Sequence, residues 1–411
     1  MVIKINKVLA ARIFVPFAAG FFISNIFRSI NAVIAPDLEG DLALTAADLG
    51  LLSSIYFFAF ACFQLPLGLL LDKFGPRRVQ SLMLLVASSG AVVFASAQVL
   101  HELVVARTLI GLGLSGCLMA SFKAFSLWFE SNRLPVINGY LLACGGLGAM
   151  TATIPVEIFI GATSWRDLFA LLSVCCIGIS MLVWYTVPET SSLQSNEGLA
   201  RQIITLGRIL KSPPFLTVAP MAFFSHGFGV AVITLWSGPW LREVAGFDRV
   251  TTAQTLLLLM LAVTIGSVAW GLITSYSSRF NFMASTVTAI GGISFLVVNI
   301  IVFIQPSYGQ AYLWIAYGFT LTSGNLLYAN LTSQFGGNLS GRLNAALNLV
   351  VFVGAFLFQW GFGIVIDYWH FTDGTVIDGY QVAFAIAIVF QAGSLLWFLL
   401  RRHLLKCQNS Y

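Results

Sequence analysis

The sequence predicts an all-α polytopic membrane protein: twelve transmembrane helices in two six-helix bundles, with both termini cytoplasmic. Three observations predict it. Across 411 residues, 58% are hydrophobic and 9% charged, whereas an ordinary soluble domain is about 25% charged. The mean hydropathy is +0.89. The apolar residues gather into twelve segments, each meeting the roughly 20 residues a helix needs to cross the hydrocarbon core. An outer-membrane barrel would instead show short alternating segments.

The segments run 13–34, 47–71, 79–98, 102–128, 135–160, 167–187, 214–237, 251–274, 282–304, 311–335, 343–366 and 381–400. An even number of spans places Lys4, Lys7, Arg12, Lys73, Arg77, Arg78, Arg133 and most later cations on one side. The opposite loops hold only Arg166, Arg242 and Arg249, together with most of the acids. Cations collect on the cytoplasmic side of membrane proteins, so the net charge of +5 reflects topology and gives no reason to expect nucleic acid. No small-residue cleavage site precedes Pro36, so a cleavable signal peptide is not expected. Five cysteines lie within spans and Cys407 in the tail, which is neither a disulfide nor a zinc framework. The short loops suit a bacterial inner membrane. The polar stretch from Pro188 divides the chain into residues 1–187, a cytoplasmic linker 188–213, and residues 214–411.

Taken in order, the first segment carries Ser24, Arg28 and Asn31 at i, i+4 and i+7, one polar stripe on a helix. An ionisable side chain at this depth costs about 2.5–3.5 kcal/mol on insertion scales and marks a substrate path, and a guanidinium fork suits carboxylate or phosphate. The alternative is a structural arginine paired to a neighbouring helix. In the second segment Tyr56 and Gln64 are spaced by eight residues with Phe60 between. The loop Gly68-Leu-Leu-Leu-Asp72-Lys73-Phe74-Gly75-Pro76-Arg77-Arg78 then joins the second and third segments. Gly68 would let two helices approach, Asp72 would cap a helix or pair with an arginine, and Gly75-Pro76 would reverse the chain.

This loop resembles the signature between the second and third helices of the major facilitator superfamily at every position. Arg107-Thr-Leu-Ile-Gly111-Leu-Gly113, Trp165-Arg166-Asp167-Leu168-Phe169 and Pro188-Glu189-Thr190 are similar to further landmarks of the same superfamily, in the same order. The second half echoes the loop as Gly271-Leu-Ile-Thr-Ser275-Tyr-Ser-Ser-Arg279, with a serine where the aspartate would stand. Arg28 with Asn31 and Ala35-Pro36 also resembles the organic anion:cation symporter branch, although Phe27 stands where that branch often has aspartate. Drug/proton antiporters carry a glycine-proline pair in the fifth helix, and this chain lacks it: Pro155 follows Ile154.

The remaining polar residues supply further candidates. Arg107 reads as structural or coupling, and Lys123 as either a snorkelling lysine or an anion relay. Glu157 is the leading carboxylate for coupling. His226, flanked by Gly227 and Gly229, is either a proton carrier or a neutral hydrogen-bond partner. Trp236 and Trp240 read as an interfacial belt or an outer gate. Asn325 and Tyr328 are expected to share a face, as are Asn344, Asn348 and Gln359. Each of these amides has the plainer role of helix glue.

The sequence holds no phosphate-binding loop, no zinc-spaced cluster and no soluble domain for either. Enzyme activity, cofactor and metal are therefore not expected. The resemblance implies a secondary transporter working by alternating access; Arg28 points to a small polar solute, an organic anion or zwitterion, and a monomer with proton-coupled symport is the accompanying expectation. The alternatives are a drug or siderophore exporter, or a non-transporting receptor on the same scaffold.

Overall fold

The computed structural model describes residues 7–130, 133–189, 204, 207–277, 283–304, 310–335, 340–372 and 375–405. Among these residues the secondary structure is helical, with no strand. That outcome follows from the solvent: hydrocarbon offers backbone groups no partner, so a spanning segment must satisfy its own N–H and C=O groups. Eleven helices among the described residues are long and apolar enough to cross a membrane. The expected segment 311–335 is absent from that set because its helix is broken. It runs as Gln310–Leu321, a 3₁₀ turn at Thr322–Asn325, and Leu326–Thr332, each piece too short alone.

The chain divides by internal packing into two units, Met1–Ala43 with Ile55–Gln202, and Leu44–Ser54 with Ile203–Tyr411. The expected linker 188–213 lies largely outside the described residues, as does Arg279 in the expected repeat of the signature loop.

The first unit comprises α1 (Lys7–Ser29), α2 (Asn31–Leu42), the larger part of α3 (Ala46–Ser96), α4 (Leu100–Leu114), α5 (Gly116–Trp128), α6 (Leu134–Thr151), α7 (Ile154–Ala162) and α8 (Trp165–Thr186). α3 contains two spans, Ala46–Gln64 and Pro66–Ser96, and turns at Gly75 with φ 77°, a left-handed value that glycine adopts without a Cβ penalty. Helix α1 packs on α5, α6 and α8. Small residues set the spacing: a Cβ on Gly113 would meet the backbone of Met83 and Ala87, and one on Gly148 the backbone of Phe22. Close backbone approach through small residues is how membrane helices gain packing energy without a hydrophobic drive. Buried serines add polar stitches between α3 and α8. Ser180 Oγ donates to the Ser81 carbonyl at 2.8 Å, Ser81 Oγ to the Ser180 carbonyl at 3.2 Å, and Ser88 meets Ser173 at 2.9 Å.

The second unit contains α9 (Pro213–Met221), α10 (Phe228–Ala231), α11 (Ser237–Pro239), α12 (Arg249–Ser277), α13 (Ala284–Ile304), α14 (Gln310–Leu321), α15 (Leu326–Thr332), α16 (Ser340–Phe371) and α17 (Val376–Arg401). The Pro213–Val244 span is unusual: its α-helical pieces alternate with π-helical turns at Ala222–Gly227, Val232–Trp236 and Trp240–Val244. π-Turns are rare and frequently accompany functional sites. Trp236 and Trp240 are 1% and 0% exposed, so neither belongs to a lipid-facing belt. They pack on Tyr380, and Trp240 also on Phe384. The first turns of α3 also lie in this unit. Asp367 Oδ1 and Oδ2 accept from the backbone N–H groups of Ala46 at 3.1 Å and Ala47 at 2.8 Å, a cap supplied from the far end of α16.

Candidate functional site

In the first unit a polar cluster forms on the α1 stripe. Ser24 is buried and Arg28 half-buried, and both side chains flank the hydroxyl of Tyr56, which is 2% exposed. The Arg28 guanidinium also sits over the Phe60 ring at 5.5 Å. The mechanism of assembly is simple: Ser24 and Arg28 are one helical turn apart, and a long side chain leans toward the N-terminus of its own helix. Asn31 and Gln64 are buried at 5% and 8% exposure. The spacing in α3 places Phe60 one turn after Tyr56, so both rings reach Arg28. Cys117 on α5, which the sequence offered no reason to select, adds a thiol to the surroundings of Arg28 and Tyr56.

Arg107 occupies the core beside this cluster at 1% exposure. Its NH1 donates to the Phe27 carbonyl at 3.0 Å. Its guanidinium lies 4.9 Å from the Phe94 ring and 5.4 Å from Phe169, and those two rings stack at 3.9 Å. The aromatic faces supply negative potential to a desolvated cation, and among the described residues no carboxylate pairs with it. Arg107 therefore holds the α1 peptide that immediately precedes Arg28.

The signature loop is anchored side chain by side chain. Asp72 pairs with Lys123 Nζ at 2.9 Å, which ties the loop to a lysine of α5. Arg78 pairs with Glu189, Arg77 lies over the Trp184 ring at 5.3 Å and Lys73 over Phe74 at 5.2 Å. A Cβ on Gly68 would meet nothing within 4 Å; the close helix contact expected there is absent because neighbouring elements stand off at this turn. At the start of α8, Trp165 Nε1 and Arg166 NH1 both donate to Asp41, at 2.8 and 2.9 Å. Glu157 is half-buried in the first turn of α7.

In the second unit, Tyr328 donates to Asn348 Oδ1 at 3.1 Å. Asn325 is exposed and its amide is 3.5 Å from Ser267. Asn325 and Tyr328 thus reach different neighbours. Gln359 is 0% exposed; its amide donates to Thr234 Oγ1 at 2.8 Å and the Ala231 carbonyl at 3.3 Å. That carbonyl lies where the α-to-π switch begins, so Gln359 serves a displaced backbone acceptor. Asn348 and Gln359 thus turn to different neighbours. His226 sits in the π-turn Ala222–Gly227 against Gly324.

The model of the Major Facilitator Superfamily matches residues 17–359. A probable sulfoacetate transporter of Cupriavidus necator is 25% identical over 270 residues, 62% of each chain. A hexuronate transporter of Bacillus subtilis is 25% identical over 272 residues, 63% of each. The chain thus spans about 62% of the length of these curated relatives. The fold is similar to that of a bacterial homolog of the human lysosomal transporter Spinster in an inward-facing, occupied conformation, with TM-score 0.80 and 16% identity over 97% of this chain and 98% of that one. A D-xylose-proton symporter has TM-score 0.72 and 15% identity over 93% and 97%.

Proposed function

This chain belongs to the major facilitator superfamily, and on that premise we propose that it is a secondary transporter moving a small organic anion by alternating access, with Arg28 as the anion's charge partner. It is a multi-pass integral membrane protein, and the proposal places both termini in the cytoplasm, with the chain acting as a monomer in a bacterial inner membrane. The observation that carries the reading is the cluster of Arg28, Ser24 and Tyr56 in the first unit. A guanidinium fork, a hydroxyl and a phenol offer donors to two oxygens of one carboxylate or sulfonate, and the aromatic ring of Phe60 lines the same place. The relatives named for sulfoacetate and hexuronate support an anionic substrate. Asn31 and Gln64 are further candidates for substrate contact in the first unit; Tyr328, Asn348, Gln359 and Asn325 are separate candidates within the second.

The test is uptake of radiolabelled sulfoacetate and D-glucuronate into proteoliposomes, with binding measured by thermal shift. Truncating one partner of a charge-assisted pair costs about 2–5 kcal/mol when it is desolvated. Arg28 is half-buried, so Arg28→Ala falls at the low end, roughly 30-fold in affinity. Arg28→Lys keeps the charge and loses the fork, and falls between. An Arg28→Ala protein that binds and transports anions as well as the parent would overturn the assignment.

A further inference from the structure

Among the described residues of the second unit, the charged side chains stand near the ends of their helices. Arg242 and Glu243 lie in the last turn of the Pro213–Val244 span, Arg249 begins α12, Arg342 begins α16, Asp367 and His370 close it, Asp378 opens α17 and Arg401 ends it. His226 is the exception. It lies near the middle of the Pro213–Val244 span, roughly 20 Å from its first residue at about 1.5 Å per residue. The elements packed on its π-turn are α9, α10, α16, α17 and the 3₁₀ turn Thr322–Asn325. Among the described residues none of these presents a charged group to the ring, which takes a hydrogen bond with the Leu321 backbone.

The geometry is specific. The imidazole comes from a π-turn and lies on the 3₁₀ turn of the broken α14–α15 segment, two places where regular α-helical hydrogen bonding is interrupted. Its Nδ1 edge occupies the space a Cβ on residue 324 would need, and Nδ1 is buried with no hydrogen-bond partner. The ring therefore makes one hydrogen bond and faces glycine with the other nitrogen.

We propose that His226 is the proton-binding site of the transport cycle. This deepens, and rests on, the reading of the chain as a gradient-driven anion transporter. The proton comes from water on one side of the membrane, adds to the Nδ1 lone pair, and leaves to water on the other side; the anion's charge is balanced by the proton carried with it. A protonated imidazole has two N–H donors. In the present conformation the second would have no acceptor among the described residues, so protonation requires the ring or one of the two irregular turns to move until a carbonyl or water accepts it. Proton occupancy thereby selects between conformations, which is the differential interaction any coupled equilibrium needs.

The experiment uses the full chain in proteoliposomes with radiolabelled sulfoacetate or D-glucuronate, whichever the parent transports. Two fluxes are measured: exchange between labelled and unlabelled anion at equal pH, and accumulation driven by an imposed pH gradient. His226→Gln is expected to keep exchange and to lose at least tenfold of gradient-driven accumulation. Gly324→Ala, whose Cβ displaces the ring from the other helix, is expected to weaken accumulation likewise. Accumulation by His226→Gln at the parent's level overturns the proposal. If His226→Gln loses both fluxes, the purified protein is titrated with the same anion between pH 5 and 8: an affinity whose pH dependence matches the parent's overturns it, and a flattened dependence supports it. Absence of any anion flux in the parent would refute the transport reading itself, a result distinct from each of these.

Discussion

Arg107 links the core of the first unit to the proposed site, and its replacement by lysine tests that link quantitatively. Lysine retains the charge but is a compact ammonium without a planar face. Arg107 donates to the Phe27 carbonyl at 3.0 Å and lies 4.9 and 5.4 Å from two stacked rings. An interhelical hydrogen bond in a membrane protein is worth about 0.6 kcal/mol and at most about 1.7, so about 1 kcal/mol is assigned to this charged one. A desolvated cation–π contact is worth about 2 kcal/mol, of which lysine would keep roughly half. Arg107→Lys should therefore destabilise the protein by about 2 kcal/mol, read by titrating detergent-solubilised protein from mixed micelles into SDS. The aromatic share is isolated by a double-mutant cycle with Phe169→Leu, for which a coupling energy of about 1 kcal/mol is expected. Because the carbonyl it holds belongs to the residue before Arg28, anion affinity should fall with stability. An Arg107→Lys protein within about 0.5 kcal/mol of the parent, or a cycle that closes near zero, would refute this account of the core.

Other outcomes follow from the same geometry. Gly113→Ala should cost about 1–3 kcal/mol, since its Cβ meets backbone of α3 that cannot step aside cheaply. Gly68→Ala, whose Cβ meets nothing, should leave stability unchanged or raise it by up to about 1 kcal/mol; the reverse ranking in the SDS titration would contradict the packing described. Asp367→Ala removes the acceptor of two backbone N–H groups at the start of α3, at a cost of about 0.5–2 kcal/mol. It should speed hydrogen exchange at Ala46 and Ala47, and unaltered exchange there would mean the cap does not hold in solution.

Composition and hydropathy alone determined the fold class, because a chain this apolar has only helices with which to satisfy its backbone in hydrocarbon. The loop Gly68–Arg78 and the landmarks at Arg107 and Trp165 identified the superfamily, since their residue types recur at fixed spacing as motifs. Arg28 stood out because an ionisable group within an apolar segment needs a reason, although the mid-membrane depth expected of it is not where the structure has it: it lies in the last turn of α1. The partners were not legible. That Asp72 pairs with Lys123, that Tyr56 reaches Ser24 and Arg28, and that Asp367 caps a helix more than three hundred residues earlier depends on which faces meet, and hydropathy is nearly uniform around these helices. The breaks were hidden for a related reason. The 214–237 and 311–335 segments read as ordinary spans, yet the structure breaks them with π- and 3₁₀ turns and buries Trp236 and Trp240. Periodicity assumes one angular step per residue, and only tertiary packing decided where that step changes.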